Sequence, residues 1–378
     1  MKKLAIITTH PIQYYAPVFK MLAMQVDVKV FYTAGAMRST YDTGFKQDVV
    51  WDLPLLEGYN YEFLTNTAKD PGSHHFNGVM ADNAISRIID FGPDTLLIYG
   101  WAYKGHLKIL RHFKNKVAIV FRGDSTLLDP SPFWKSTLRA ILLKWVYSHV
   151  NHALYVGSHN QAYYEKHGLS ELQLSFVPHA IDNERFATPR EKEAQQLRKK
   201  LSIPNEDIMV LFAGKFETKK DPLALLDAYV SLESTNIHLL FVGNGELESK
   251  LKSGVKECGL TTIYFLPFQN QQQMPVIYQA CDLFCIPSKG PGETWGLAIN
   301  EAMAAGKAIL SSAMTGAAID LVDSTNGAIF DNTADDLKSK LKQLTQSKTQ
   351  LTKLGKASAI KIKDWNFEAQ VRGIINYV

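Results

Sequence analysis

Cysteine is scarce: the 378 residues contain three, Cys258, Cys281 and Cys285, too few for a disulfide framework. Cys281 and Cys285 lie in the apolar run CDLFCIP, where a thiol acts as a small buried side chain, and no second pair of ligands supports a zinc site. An excess of one charge is missing as well. Lys and Arg number 41 against 37 Asp and Glu, a formal charge of +4, too small to suggest a dedicated nucleic-acid binder. The basic excess sits before about residue 190, compatible with an anionic substrate or an acidic membrane surface. No apolar run reaches the ~18 residues that span a bilayer. The opening Met1-Lys2-Lys3 and LAII imitate a leader, but the run stops at Thr8-Thr9-His10-Pro11 and reads as a first buried strand. These absences predict a protein of a reducing, cytoplasmic compartment. With 46% apolar and 21% charged residues, disorder, collagen and coiled coil are excluded too.

What is present is regular alternation. Short apolar runs alternate with amphipathic stretches, the pattern of parallel α/β units. The first half predicts strands at 4–8, 26–32, 95–100, 117–122, 152–157 and 174–179, with helices such as 81–91, 131–148 and 160–167 between them. The second half restarts with strands at 208–214, 237–243, 263–268, 283–288 and 308–312, separated by helices near 222–232, 246–257, 274–280 and 295–305. The expected fold class is α/β, with two successive doubly wound domains over residues 1–190 and 207–362. A polar linker (191–206) joins them, and an apolar last helix (363–378) follows. Ligands of such sheets bind at the carboxyl ends of strands, and the crevice between two such domains is the expected site.

Chemistry concentrates in PSKGPGETWGLAINEAMAAGKAILSS, residues 287–312. Strand, Gly/Pro-rich loop and helix are expected in that order, with Glu293 opening the helix and Glu301 eight residues on. At ~100° and ~1.5 Å per residue the two carboxylates would share one side of the helix, ~12 Å apart along its axis. That is too far for paired acid–base work on one bond, which needs ~5–9.5 Å. It suits holding the two ends of an extended polyhydroxylated ligand, with a phosphate at the N–H groups of Thr294, Trp295, Gly296 and Leu297 and close approach allowed by Gly292 and Gly296. The plainer alternative is an ordinary amphipathic helix with two solvated glutamates.

The same segment resembles the E-x7-E signature of retaining family-4 glycosyltransferases of the GT-B fold. Other segments resemble that family in its expected order. LFAGKFETKKDPLALLDAY (211–229) matches the stretch in which two basic residues, here Lys215 and Lys220, hold the donor diphosphate. The family more often has arginine at the first of these, whose bidentate contact a lysine does not reproduce. LLFVGNGELESKL (239–251) resembles its Gly-x-Gly turn, placing Gly243 and Asn244 at the donor, and FLPFQNQQQ (265–273) places Phe268 and Gln269 at the nucleobase. The resemblance implies a GT-B architecture of two Rossmann-like domains facing a cleft, with the last helix crossing back to the first domain. It implies transfer from a nucleotide sugar, most commonly a UDP-sugar, to an acceptor hydroxyl with retention of configuration and no cofactor or metal. Surface polysaccharide, lipopolysaccharide or glycolipid assembly is its commonest setting.

The first half departs from the family pattern. Its first strand ends in His10-Pro11-Ile12-Gln13 rather than a glycine-rich loop, so His10 and Gln13 are expected to meet acceptor or donor through their side chains, together with Tyr99 and Trp101. Pro11 in the first turn of a helix is the bland alternative. Where the family has a histidine, this chain has Arg122-Gly123-Asp124. Arg122 is expected to neutralise the leaving phosphate and Asp124 to take the acceptor proton, or the two form a structural pair. His74-His75, His149, His152 and His159 have no carboxylate or cysteine at metal spacing. Lys135, Arg139 and Lys144 with Trp134, Leu138, Ile141, Leu142 and Trp145 make a basic amphipathic helix, facing either the core or a membrane. A sugar-nucleotide 2-epimerase and a non-catalytic sugar-nucleotide-binding subunit remain as alternatives. The glycine pattern is too incomplete for a dinucleotide oxidoreductase.

Overall fold

The computed structural model describes residues 1–36, 41–42, 44–72, 74–129 and 132–378. Fifteen strands occur among them. In chain order they are β1 (Lys3–Thr8), β2 (Asp27–Tyr32), β3 (Tyr41–Asp42), β4 (Gln47–Asp48), β5 (Asn60–Phe63), β6 (Thr95–Tyr99), β7 (Ala118–Arg122), β8 (His152–Tyr155) and β9 (Leu174–Phe176), followed by β10 (Ile208–Ala213), β11 (Ile237–Val242), β12 (Ile263–Leu266), β13 (Leu283–Ile286), β14 (Ala308–Ser312) and β15 (Gly327–Phe330).

The chain divides into two compact units. The first comprises Met1–Ser39, Leu53–His179 and Phe367–Val378; the second comprises Thr40–Asp52 and Ala180–Asn366. Seven parallel strands in the order β5-β2-β1-β6-β7-β8-β9 make the first unit's sheet. Successive residues face opposite sides, so Ala5, Ile7, Leu96, Ile98, Ile119 and Phe121 enter one core and Leu4, Ile6, Val28, Val30 and Leu97 the other. Helices cover both faces, which is why these strands read as continuous apolar runs. The terminal helix Phe367–Ile375 belongs to this unit. Gln370 Nε2 donates to the Pro178 carbonyl at 2.6 Å, and the Tyr377 ring stacks on His152 at 3.8 Å.

The second unit holds a six-stranded parallel sheet, β12-β11-β10-β13-β14-β15. Val210, Phe212, Leu239, Phe241, Leu283, Cys285 and Leu310 fill one core face. Burial pushes the Cys281 thiol up to about 12 and that of Cys285 higher still, so both act as apolar packing. The antiparallel pair β3–β4 also belongs here, with Asp42 opposite Gln47.

The expected linker proves to be structured. Residues 191–200 form the helix Glu191–Lys200, and buried Arg198 donates from Nη1 to the Ala280 carbonyl (2.9 Å) and from Nη2 to those of Pro204 and Asp207 (both 2.7 Å). Three carbonyl bonds to one guanidinium fix that helix to the second unit, whose longer segment runs from Ala180 to Asn366. The helix expected from Ser131 spans Phe133–Tyr147, and Ser131 itself lies outside the described residues.

Candidate active site

In the second sheet the order of strand addition reverses between β10 and β13, the switch point at which ligands of such sheets bind. The carboxyl ends of β10, β11, β12 and β13 lead directly into Lys215, Gly243-Asn244, Phe268 and the 287–296 loop. There the Lys220 ammonium meets the Glu293 carboxylate, whose Oε2 also accepts the Ser288 hydroxyl at 3.0 Å. Glu293 is buried, with 8% exposure, so the lysine supplies the counter-charge that makes burial of a carboxylate tolerable. Glu301 is buried as well and accepts the Tyr278 hydroxyl at 2.9 Å. Lys215 pairs elsewhere: its Nζ lies 2.8 Å from Oδ1 and 3.0 Å from Oδ2 of Asp42.

Several expectations change in detail. Glu293 does not open the helix, which runs from Ala298 to Ala304 with Leu297 as its N-cap residue. Thr294, Trp295 and Gly296 belong to the lead-in loop, so the one-helix arithmetic for Glu293 and Glu301 does not apply, and the phosphate is left without a first turn at these residues. The Trp295 indole stacks on Trp365 at 5.2 Å and donates to Asn300 Oδ1 at 2.9 Å, which makes it a packing residue. Gly296 has φ +92°, and a Cβ there would lie 2.7 Å from Thr315 Cγ2; Gly292 has φ +87° in open space. Gly243 lets two loops touch, since a Cβ there would lie 2.0 Å from the Gly214 carbonyl oxygen. Asn244 joins loops also. Its Oδ1 accepts the Phe268 N–H at 2.7 Å, which removes that N–H from any nucleobase, and its Nδ2 donates to Glu248 at 3.1 Å. Gln269 Nε2 donates to the Pro267 carbonyl at 3.0 Å.

In the first unit the order of addition reverses between β1 and β6, and the expected residues follow the ends of β1, β6 and β7. His10 Nδ1 lies 2.7 Å from Thr9 Oγ1, and Gln13 is buried. The helix after β1 begins at Ala16, so Pro11 does not occupy its first turn. The Tyr99 ring lies 4.7 Å from that of Tyr15, tilted by 38°; its buried hydroxyl has no partner, and burial pushes it up to about 12. Trp101 packs on the core that includes Phe121 and Tyr147. Arg122 is 2% exposed and spends Nη1 on the Val177 carbonyl (2.8 Å) and Nη2 on that of Pro178 (3.0 Å). It is therefore a structural clamp, not a group for the leaving phosphate, and its partners are carbonyls rather than Asp124. Asp124 is half-exposed, with Oδ2 3.9 Å from Nε2 of buried His179. Burial pulls the His179 imidazole below its ordinary range while Asp124 works the other way.

His179, Tyr278, Ser288 and Asp42 were not expected at a site. Ser288 stands in the quoted motif, but nothing in its spacing revealed a glutamate partner. The histidine pair also differs from expectation: Asp70 joins His74 and His75, with one ligand atom of each within 4.8 Å of the others, and His75 Nε2 lies 3.2 Å from Asp70 Oδ2. The basic helix Phe133–Tyr147 buries Leu143 and Val146 but exposes Trp134, Leu138, Ile141, Leu142 and Trp145. No helix among the described residues is long and apolar enough to cross a membrane.

Residues 193–360 match the family model described as "Glycosyl transferases group 1". The matched residues lie within the second unit and include all six strands of its sheet. A lipopolysaccharide 1,2-N-acetylglucosaminetransferase from Salmonella typhimurium is 30% identical over 178 residues, covering 44% of this chain and 45% of that protein. A D-inositol 3-phosphate glycosyltransferase from Mycolicibacterium smegmatis is 27% identical over 169 residues, covering 44% and 38%. Each match spans less than half of the relative's own length. HepE from Anabaena, solved with UDP and glucose, aligns with 100% of this chain and 99% of its own at a TM-score of 0.72 and 16% identity. The fold is that of GT-B glycosyltransferases.

Proposed function

We propose that the protein transfers a sugar from a nucleoside diphosphate sugar, a UDP-sugar, to an acceptor hydroxyl with retention at the anomeric carbon and without a metal. The observation that carries this reading is the buried Lys220–Glu293 pair at the switch point of the sheet whose residues match the group 1 glycosyltransferase model. A diphosphate arriving there gains Lys220 and Lys215 as counter-ions, while Glu293 is released toward the hydroxyls of the donor sugar. Glu301, oriented by the Tyr278 hydroxyl, accepts from the vicinal hydroxyls of the ribose. Build-up of charge on the departing diphosphate is the costly part of such a transfer, and the two lysines answer it. Asp124 with His179 is the group of the first unit suited to receive the acceptor proton.

The activity of the Salmonella relative supports lipopolysaccharide or a glycolipid as acceptor class. The exposed apolar row Trp134, Leu138, Ile141 and Trp145, flanked by exposed Lys135, Arg139 and Lys144, supports peripheral contact with an anionic cytoplasmic membrane face. Calorimetric titration with UDP, GDP, ADP and their common sugar conjugates tests the donor reading. Saturation at ~100 times Kd should raise stability by about 2.7 kcal/mol. One nucleotide should bind, and Glu301→Ala should weaken it. A folded wild-type chain that binds none of them overturns the proposal.

A further inference from the structure

The turn between β3 and β4 is built around Lys215. Asp42 Oδ1 accepts the N–H groups of Gly44 (2.9 Å) and Phe45 (3.0 Å), and both carboxylate oxygens face the Lys215 ammonium. The lysine stem lies flat on Gly44: a Cβ there would come within 2.4 Å of Lys215 Cδ and 2.7 Å of Nζ. The ammonium sits 5.0 Å from the Phe45 ring centroid, and Phe45 packs on Phe268 at 4.6 Å, with Trp51 on the same ring at 6.1 Å. The strand end is pinned by Asn270 Nδ2 donating to the Val50 carbonyl (2.6 Å) and by the Gln272 N–H donating to Asp52 Oδ2 (3.1 Å). Lys215 and Asp42 are each about one-third exposed, at 31% and 33%, so an anion from solvent can reach the pair.

We infer that Asp42 is a positioning residue for the donor site: its carboxylate holds Lys215 at the β10 carboxyl end, and a nucleoside diphosphate binds by taking the ammonium from it. The inference rests on the donor reading given above. An ammonium ion left unpaired at that distance from the sheet would wander, at an entropic cost when an anion later fixed it. Asp42 holds it in place but also opposes the diphosphate, because after the exchange a carboxylate remains near the phosphates. The same carboxylate recaptures Lys215 as the spent nucleoside diphosphate departs, which favours product release. Affinity for the leaving group is thus set by a residue 173 positions away in the chain.

Asp42→Asn keeps an oxygen for the Gly44 and Phe45 N–H groups and removes only the charge. Calorimetry of the full chain, using whichever of UDP, GDP or ADP binds the wild type, should show about five- to tenfold tighter binding in Asp42→Asn, the scale of one like charge several ångströms away in a half-exposed site. Asp42→Glu should stay near wild type. In a Lys215→Ala background, itself weaker than wild type, Asp42→Asn should lose at least half of its effect. A packing role for the hairpin would not produce that dependence on Lys215, and thermal unfolding of each variant checks that the fold is kept. No nucleotide binding to the wild-type chain overturns the donor reading and this inference together. Nucleotide binding that Asp42→Asn leaves unchanged or weakens, or that it tightens equally without Lys215, overturns this inference alone.

Discussion

Removing the Lys220 side chain isolates what holds Glu293 in the interior. The glutamate side chain is 7% exposed and the lysine 21%. Deleting one partner of a buried pair costs about 3–5 kcal/mol, because the other charge stays buried without compensation. Two features here reduce that figure. The Ser288 hydroxyl still donates to the same carboxylate oxygen at 3.0 Å, and the part-exposed lysine leaves a path for water. Lys220→Ala should therefore lose about 2–3 kcal/mol. For a unit of this size each kcal/mol lowers Tm by about 2–4 °C, so scanning calorimetry should find the transition of the second unit about 5–10 °C lower. The double variant Lys220→Ala/Glu293→Gln removes the stranded charge and should recover at least half of the loss, while donor binding stays weak. A single variant within about 2 °C of wild type would refute the electrostatic account of the site, as would a double variant no more stable than the single one.

Acid should weaken the first unit through His167. Its imidazole is held down to about 4 by burial, then by Arg139, Lys166 and Lys144, while the unfolded chain protonates near 6.5. The unfolded state therefore gains the proton first, so stability is full above about pH 6.5 and falls between there and pH 4. His167→Gln should flatten the urea midpoint over that window, and an unchanged slope would remove His167 as the cause. Sedimentation with vesicles containing anionic phosphatidylglycerol should pull down the wild-type chain, and Trp134→Ser/Ile141→Ser should reduce the bound fraction at least threefold, a step of about 0.7 kcal/mol. Equal binding by both would show that the exposed row does not meet lipid.

How much of this was legible beforehand follows from which forces are local. The central strands could be read because parallel strands covered on both faces must be apolar throughout, and runs such as IMVLFA admit few other readings. Four strands escape that pattern. β3 and β4 have two residues each, too short for any periodicity, while Asn60–Phe63 and Gly327–Phe330 are four-residue edge strands, the first of them half-exposed. The apolar face of Phe133–Tyr147 was visible as a periodicity, but 3.6-residue spacing has the same form whether the face turns inward or outward. At the site, the identities of Lys215, Lys220, Glu293 and Glu301 could be proposed from the motif, yet their partners could not. Glu-Thr-Trp-Gly-Leu has nothing that forbids a helix at Glu293; Gly296 at φ +92° ends that possibility, and a Cβ there would meet Thr315 Cγ2 at 2.7 Å. Arg122 carries the same lesson in reverse. A basic residue at a strand end reads as a ligand group, and only the two carbonyls 55 and 56 residues further on make it a clamp. Asp42 lies further out of reach, since no local spacing relates it to Lys215. Motifs name the groups that a site needs, and long-range packing decides which of those groups a ligand finds already engaged.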